Sequence, residues 1–115
     1  MYSIVSTAIV HGIDSIPVQV EADVSNGMPY FEMVGFLGAE VKEAKERVRT
    51  ALRNAGYLLP AKRITVNLSP AGVRKSGSAF DLPITVALMA ALEIVPKENT
   101  ADILVVGEIG LNGQV

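Results

Sequence analysis

The sequence contains no cysteine or tryptophan and has one histidine, His11. Without cysteine the chain forms neither a disulfide scaffold nor a cysteine-based zinc site, and it offers no thiol nucleophile. A single histidine excludes a metal cluster built from histidines. The absence of cysteine suits a reducing compartment, and we expect a cytoplasmic protein.

Long apolar runs and aromatic residues are also scarce. The longest apolar candidate, Leu82 to Leu92, is far shorter than the ~20 residues of a membrane-spanning helix. The first residues lack the basic start of a signal peptide, so we expect no membrane association. Aromatics make up 5% of the chain and only Tyr57 falls within the segment of basic residues, which argues against a stacking platform for single strands.

The chain is rich in hydrophobic residues. Half of the 115 residues are hydrophobic and 19% are charged, which suffices for the core of one domain and excludes disorder. We therefore predict a single domain over residues 1–115.

The formal net charge of −2 conceals an asymmetry. Nine of the ten Lys/Arg residues fall in one segment: Lys42, Lys45, Arg47, Arg49, Arg53, Lys62, Arg63, Arg74 and Lys75. Only Glu43 and Glu46 oppose them there, giving +7, while Lys97 against ten acids elsewhere gives −9. The basic block is either a contact surface for phosphate or an acidic partner, or a solvated helix face with its flanking loop.

The first third of the chain predicts strands. Ser3 to Val10 is rich in β-branched residues, Gly12 to Pro17 resembles a turn, and apolar and polar residues alternate from Val18 to Ser25. Asn26-Gly27 favours a hairpin, so Tyr30 to Phe36 is predicted to pair back as the third strand of an antiparallel meander.

The pattern then changes to that of helices. Apolar residues recur at helical spacing from Ala39 to Ala55, and Gly56 is placed to end this helix. A fourth strand is predicted over Arg63 to Leu68. Asp81 is predicted to cap a second, buried helix over residues 84–93.

The residues after the second helix predict a strand and a turn. Ile103 to Val106 is fully apolar, which predicts a short strand near the centre of the sheet. Asn112-Gly113 is a second turn signal with almost nothing after it, so we expect the chain to be a piece of a longer protein. The predicted fold is α+β, with two layers and the order β-β-β-α-β-α-β-β, the last strand truncated.

Two motifs bear on chemistry. The loop Gly72 to Ala79 nearly matches a phosphate-binding loop, but Ser78 replaces its lysine and Ala79 its hydroxyl residue, so we do not expect nucleotide binding. Glu21, Asp23 and Glu32 would cluster if the second and third strands paired. They would then either bind a hard cation or form the wet face of the sheet.

Several strings together resemble a known family: Val18 to Gly27, Glu43 to Arg49, Arg63 to Ala71, Arg74-Lys75 with Phe80 to Ile84, and Val106 to Gly113. They are similar to the N-terminal domain of the ComM/YifB family of magnesium-chelatase-like AAA+ ATPases. The resemblance implies a ribosomal-protein-S5-domain-2-like fold shared with Lon proteases. It also implies an AAA+ module outside this chain that uses ATP and Mg²⁺, a hexameric parent, and work on DNA in natural transformation.

The same resemblance allows a comparison with the Lon active site. The Gly-Pro-Ser-Ala-Gly string of Lon proteases, aligned on Gly77, places Ser78 at its proline and Ala79 at its nucleophile. Alanine has no nucleophilic oxygen, and the partner lysine of Lon would lie outside these residues. The chain is therefore expected to be non-catalytic and to hold no cofactor or metal itself.

Three functions remain open from the sequence. The first is an accessory domain of an AAA+ ATPase that contacts DNA or helps assemble the ring, its contacts being Lys45, Arg49, Arg53, Lys62, Arg63, Arg74 and Lys75. The second, which the sequence disfavours, is a Lon-like peptidase or a nucleotide hydrolase at the loop of Gly77, Ser78, Ala79 and Asp81. The third is a pure oligomerisation module.

Overall fold

The computed structural model describes residues 1–11, 14–96 and 103–114, except the side chains of Val10 and His11. The middle of the predicted first turn, Lys97 and Val115 lie outside the described residues. Four strands form one mixed sheet: β1 (Tyr2–His11), β2 (Asp14–Ser25), β3 (Tyr30–Val34) and β4 (Arg63–Ser69). Strand β2 begins at Asp14, inside the segment predicted as a turn.

The order of the strands in the sheet is β1-β2-β4-β3, which corrects the predicted meander. Strand β3 does not pair with β2. Strand β4 lies between β2 and β3. It pairs antiparallel with β2 and parallel with β3. Ser25 and Tyr30 both lie opposite Arg63, so the Asn26-Gly27 segment arches over the start of β4 instead of closing a hairpin.

Strand β4 takes the inner position because it matches β2 along its whole length. Val20 pairs with Leu68, Ala22 with Val66 and Val24 with Ile64, and all six side chains are buried. The predicted alternation of β2 is thereby confirmed, since its apolar positions point into the core and its polar ones do not.

The acidic residues that would cluster if β2 and β3 paired do not do so, because β4 lies between these two strands. Asp23 of β2 and Glu32 of β3 lie on opposite sides of Thr65, and the Asn67 amide donates to Glu21 at 3.1 Å. Among residues 1–11, 14–96 and 103–114, no group of three or more acidic, histidine or cysteine side chains could hold a metal ion.

Three helical segments cover one face of the sheet: α1 (Ala39–Lys42), α2 (Ala44–Asn54) and α3 (Asp81–Ala91). The predicted first helix is interrupted at Glu43, a turn residue that keeps helical dihedral angles. Gly56 ends α2 as predicted, with φ +97°, and the Tyr57 amide donates to the Leu52 carbonyl at 2.8 Å.

The core lies between the sheet and the helices. Helix α3 packs over β1 and β2, where the Ser3 hydroxyl donates to the Ala87 carbonyl at 2.5 Å, and α2 packs beside α3. The two-layer α+β class is confirmed. None of the described helices is long and apolar enough to cross a membrane.

The segment after α3 differs from its prediction. Residues 103–106 do not form a central strand. Instead Leu104 makes a single parallel bridge to Ser6 on β1, the edge of the sheet opposite β3. Val105 is buried, but Ile103, Leu104 and Val106 are exposed, because one side of the segment faces away from the core.

Candidate functional site

A row of cations runs along α2. Lys45, Arg49 and Arg53 are spaced by four residues, so they lie on one face of the helix. The adjacent stripe of Ala44, Val48, Ala51 and Leu52 is buried. This stripe fixes the rotation of the helix and turns the cationic row toward β3.

The C-terminal half of this row borders a pocket of about 350 Å³. Arg49, Arg53 and Lys62 are the cations that line it. The rest of the lining consists of Tyr30 and a mostly apolar set: Pro29, Phe31, Leu58, Leu59, Pro60 and Ile64. The pocket therefore combines an apolar floor with a positively charged rim.

The N-terminal half of the row borders a second pocket, of about 300 Å³, lined by Lys42, Lys45, Glu32 and Met33. Tyr30 and Phe31 line both pockets. We call the two pockets together the basic groove. It follows β3 on one side and α2 on the other.

Two aromatic rings of β3 each lie beside an arginine side chain. The Arg63 guanidinium lies 5.1 Å from the centre of the Tyr30 ring, and that of Arg49 lies 5.6 Å from the centre of Phe31. Phe31 is buried, whereas Tyr30 is 37% exposed. The expectation that the basic residues lack aromatic neighbours for stacking is wrong in space, because β3 brings two aromatics to α2 and β4.

Most cations of the groove have no acidic partner. In the described part of the chain, the one ion pair among them joins Arg49 to Glu46 at 3.6 Å, with both side chains well exposed. Such surface pairs contribute about 1 kcal/mol at most. The carboxylate of Glu32 instead accepts a hydrogen bond from the Tyr30 hydroxyl at 3.0 Å. The groove therefore presents an excess of positive charge.

Of the three remaining predicted contacts, Arg63 lines neither pocket but lies over the Tyr30 ring, and the structure separates Arg74 and Lys75 from this groove. Arg74 is exposed, and its guanidinium lies beside Gly38. Lys75 is fully buried, which corrects its prediction as a surface contact. Its ammonium donates to the Gly35 carbonyl at 2.9 Å and to the Pro70 carbonyl, and burial lowers its pKa.

Asp81 is likewise not the helix cap that the sequence predicts. Phe80 is the N-cap residue of α3 and no side chain caps that end. The buried Asp81 carboxylate instead accepts two hydrogen bonds from Arg47, from Nε at 2.7 Å and from a terminal nitrogen at 2.9 Å. This hydrogen bonding raises the pKa of Arg47, and the pair ties α3 to α2.

The loop that resembles the Lon site makes contacts that differ from those of a Ser–Lys dyad. Ala79 offers only its carbonyl, which accepts from the Gly107 amide at 3.3 Å. The Ser78 hydroxyl donates to the Glu108 carboxylate, where a Ser–Lys dyad would have a lysine. Gly77 adopts φ +84°. Within the described residues, these contacts fix the loop to the segment after α3.

Comparison with known proteins decides the family. A family model described as subunit ChlI of Mg-chelatase matches residues 20–115. The chain belongs to this magnesium-chelatase-like family. Protein YifB of Salmonella typhimurium is 47% identical over 113 residues, which cover 94% of this chain and 22% of that protein. Competence protein ComM of Haemophilus influenzae is 44% identical over 115 residues, covering 96% of the chain and 23% of that protein.

These relatives confirm the resemblance to the N-terminal domain of the ComM/YifB group. The chain spans less than a quarter of the length of either relative. ATP and Mg²⁺, which the family implies, do not fit the residues of the candidate loop. Ser78 and Ala79 stand where a phosphate loop needs a lysine and a hydroxyl, and the side chain of Ser78 is engaged by Glu108.

Proposed function

We propose that the chain is a non-catalytic accessory domain of a magnesium-chelatase-like AAA+ ATPase and that its basic groove contacts DNA. The observation that carries the proposal is the concentration of Lys42, Lys45, Arg49, Arg53 and Lys62 around one groove. ATP and Mg²⁺ would be bound by residues outside this chain, in a parent ring of several subunits.

Charge and chemistry support DNA as the anionic partner. The groove is long enough to be lined by five cations, which suits a polymer of phosphates better than a single anion. The ComM/YifB resemblance implies work on DNA, and one relative carries the name competence protein. A peptidase is not proposed, because Ala79 has no nucleophilic oxygen.

The test is a fluorescence-anisotropy titration of labelled DNA with the full 115-residue chain at about 50 mM salt. Arg53→Ala combined with Lys62→Ala should weaken binding about tenfold or more, because two phosphate contacts are removed. Arg74→Ala is the matched control. It removes an exposed arginine from the same sequence block that does not line the groove. Absence of binding by the unaltered chain would contradict the DNA contact.

A second candidate, ring assembly, has one observation in its favour. Glu21 and Asp23 of β2 give the sheet acidic side chains away from the groove, and these would face the basic groove of a neighbouring subunit. Light scattering distinguishes the two functions. Self-association of the chain that Arg53→Ala with Lys62→Ala abolishes would favour assembly, and a monomer that binds DNA would favour the first proposal.

A further inference from the structure

The first pocket of the basic groove has features that phosphate binding does not require. Contacts to a duplex backbone need only cations on an accessible surface. Here the cations line a concave pocket together with a mostly apolar set of residues, among them the buried Phe31 and Ile64 and the half-buried Leu59. Apolar side chains do not favour the binding of phosphate, but burying the flat face of a base against them is favourable.

We propose that the basic groove binds an unpaired stretch of DNA and takes one base into the first pocket against Tyr30. This inference rests on the proposed function, since it specifies which form of DNA the same groove prefers. A base in a duplex is stacked and paired, so it cannot enter the pocket without being extruded.

Tyr30 is the residue best placed to stack on a base. It lines both pockets and keeps 37% of its surface exposed. Its hydroxyl is held by Glu32 at 3.0 Å, and the Arg63 guanidinium lies 5.1 Å from the ring centre. These contacts fix the ring before any ligand arrives, which lowers the entropy cost of binding.

The cations are distributed as a single strand would need them. Arg49, Arg53 and Lys62 surround the first pocket, and Lys42 and Lys45 border the second. A strand whose base enters the first pocket can place the phosphates before and after that base near these two groups. A charged groove with an aromatic side chain is the common arrangement of proteins that bind single strands.

An acidic peptide is a weaker fit to the same groove. Its carboxylates would satisfy the cations, but it has no planar group to cover the Tyr30 ring and the apolar floor. Polyglutamate is therefore included as a competitor in the test.

The experiment measures the affinity of the full 115-residue chain for four ligands at about 50 mM salt by fluorescence anisotropy. These are a single strand, a duplex of the same sequence, an abasic strand of the same length, and polyglutamate as a competitor. The variants are Tyr30→Leu, which removes the ring, and Tyr30→Phe, which keeps it. Tyr2→Leu is the matched control, because Tyr2 lies on β1 outside both pockets and its hydroxyl likewise donates to a strand glutamate, Glu21 of β2.

We expect the single strand to bind about tenfold more tightly than the duplex or the abasic strand, since stacking of one base has that value. Tyr30→Leu should remove this preference, while Tyr30→Phe and Tyr2→Leu should retain it. Circular dichroism melting of each variant verifies that it is folded.

Two results would overturn the inference. Equal affinity for single strand, duplex and abasic strand, or competition by polyglutamate as effective as that by the single strand, would mean that the groove responds to charge alone. The proposed DNA contact would survive equal affinities for the three DNA ligands. If no DNA binds at all, the proposed function fails together with the inference.

Discussion

The basic groove and the closed region around the buried Lys75 and Asp81 use basic residues of the same sequence block in opposite ways. Lys62 lines an open pocket, whereas Lys75 is buried and donates its ammonium to two backbone carbonyls. Arg53 is exposed on α2, whereas Arg47 on the same helix pairs with the buried Asp81. A count of positive charges therefore overstates the binding surface, because some of the charges hold the fold together.

The largest effect on stability should come from breaking the ion pair of the closed region. Arg47→Met leaves the carboxylate of Asp81 buried without its partner, which should lower the free energy of unfolding by about 3 kcal/mol or more. Urea denaturation measures this through a shift of the midpoint. Arg53→Met, an exposed arginine on the same helix, is the control. Equal midpoints for the two variants would contradict the structural role of Arg47.

Lys75→Met should have the next largest effect. Methionine fills a similar volume but leaves the Gly35 and Pro70 carbonyls without their donor, at a cost of about 2 kcal/mol. The same urea experiment checks this, and an unchanged or higher midpoint would mean that the ammonium is not needed there.

The pH dependence of stability offers a separate test of Lys75. Burial lowers its pKa in the folded state below the ordinary value of 10.5. Between these two pKa values the unfolded chain binds more protons, so Lys75 makes the free energy of unfolding rise with pH in this window. The difference between the unaltered chain and Lys75→Met should therefore grow in the alkaline range. A difference that does not change with pH would contradict a lowered pKa.

The smallest effect on stability should come from substitutions in the basic groove. Arg53→Ala with Lys62→Ala should change the free energy of unfolding by no more than about 0.5 kcal/mol, because neither side chain has an ion-pair partner among the described residues. Thermal melting checks this. A loss as large as that of Arg47→Met would mean that the groove residues are structural as well.

Local patterns were sufficient to predict most of the individual elements. The alternation in β2, the apolar stripe of α2, the stop at Gly56 and the buried helix α3 all follow from side-chain periodicity and end signals. The pairing of β3 did not follow. The Asn26-Gly27 signal favours a hairpin, but the longer apolar match between β2 and β4 takes the place beside β2.

The site depends on that pairing and could be predicted only in part. The sequence indicates the cations of the groove. Its aromatic residues on β3 come close to these cations only because β3 pairs in parallel with β4. The contacts of Lys75 and Asp81 could not be predicted either, because their partners Gly35 and Arg47 are more than thirty residues away in sequence. Long-range contacts of this kind leave no local signal.

The central prediction is that the basic groove, and not the loop from Ser69 to Phe80, contacts DNA. It is tested most directly by the salt dependence of DNA binding for the unaltered chain, for Arg53→Ala with Lys62→Ala, and for Arg74→Ala. The double variant should lower the magnitude of the slope of log K against log salt concentration by about 2, since each phosphate contact contributes about 1. The Arg74→Ala slope should match that of the unaltered chain. Equal slopes for the double variant and the unaltered chain would contradict the account.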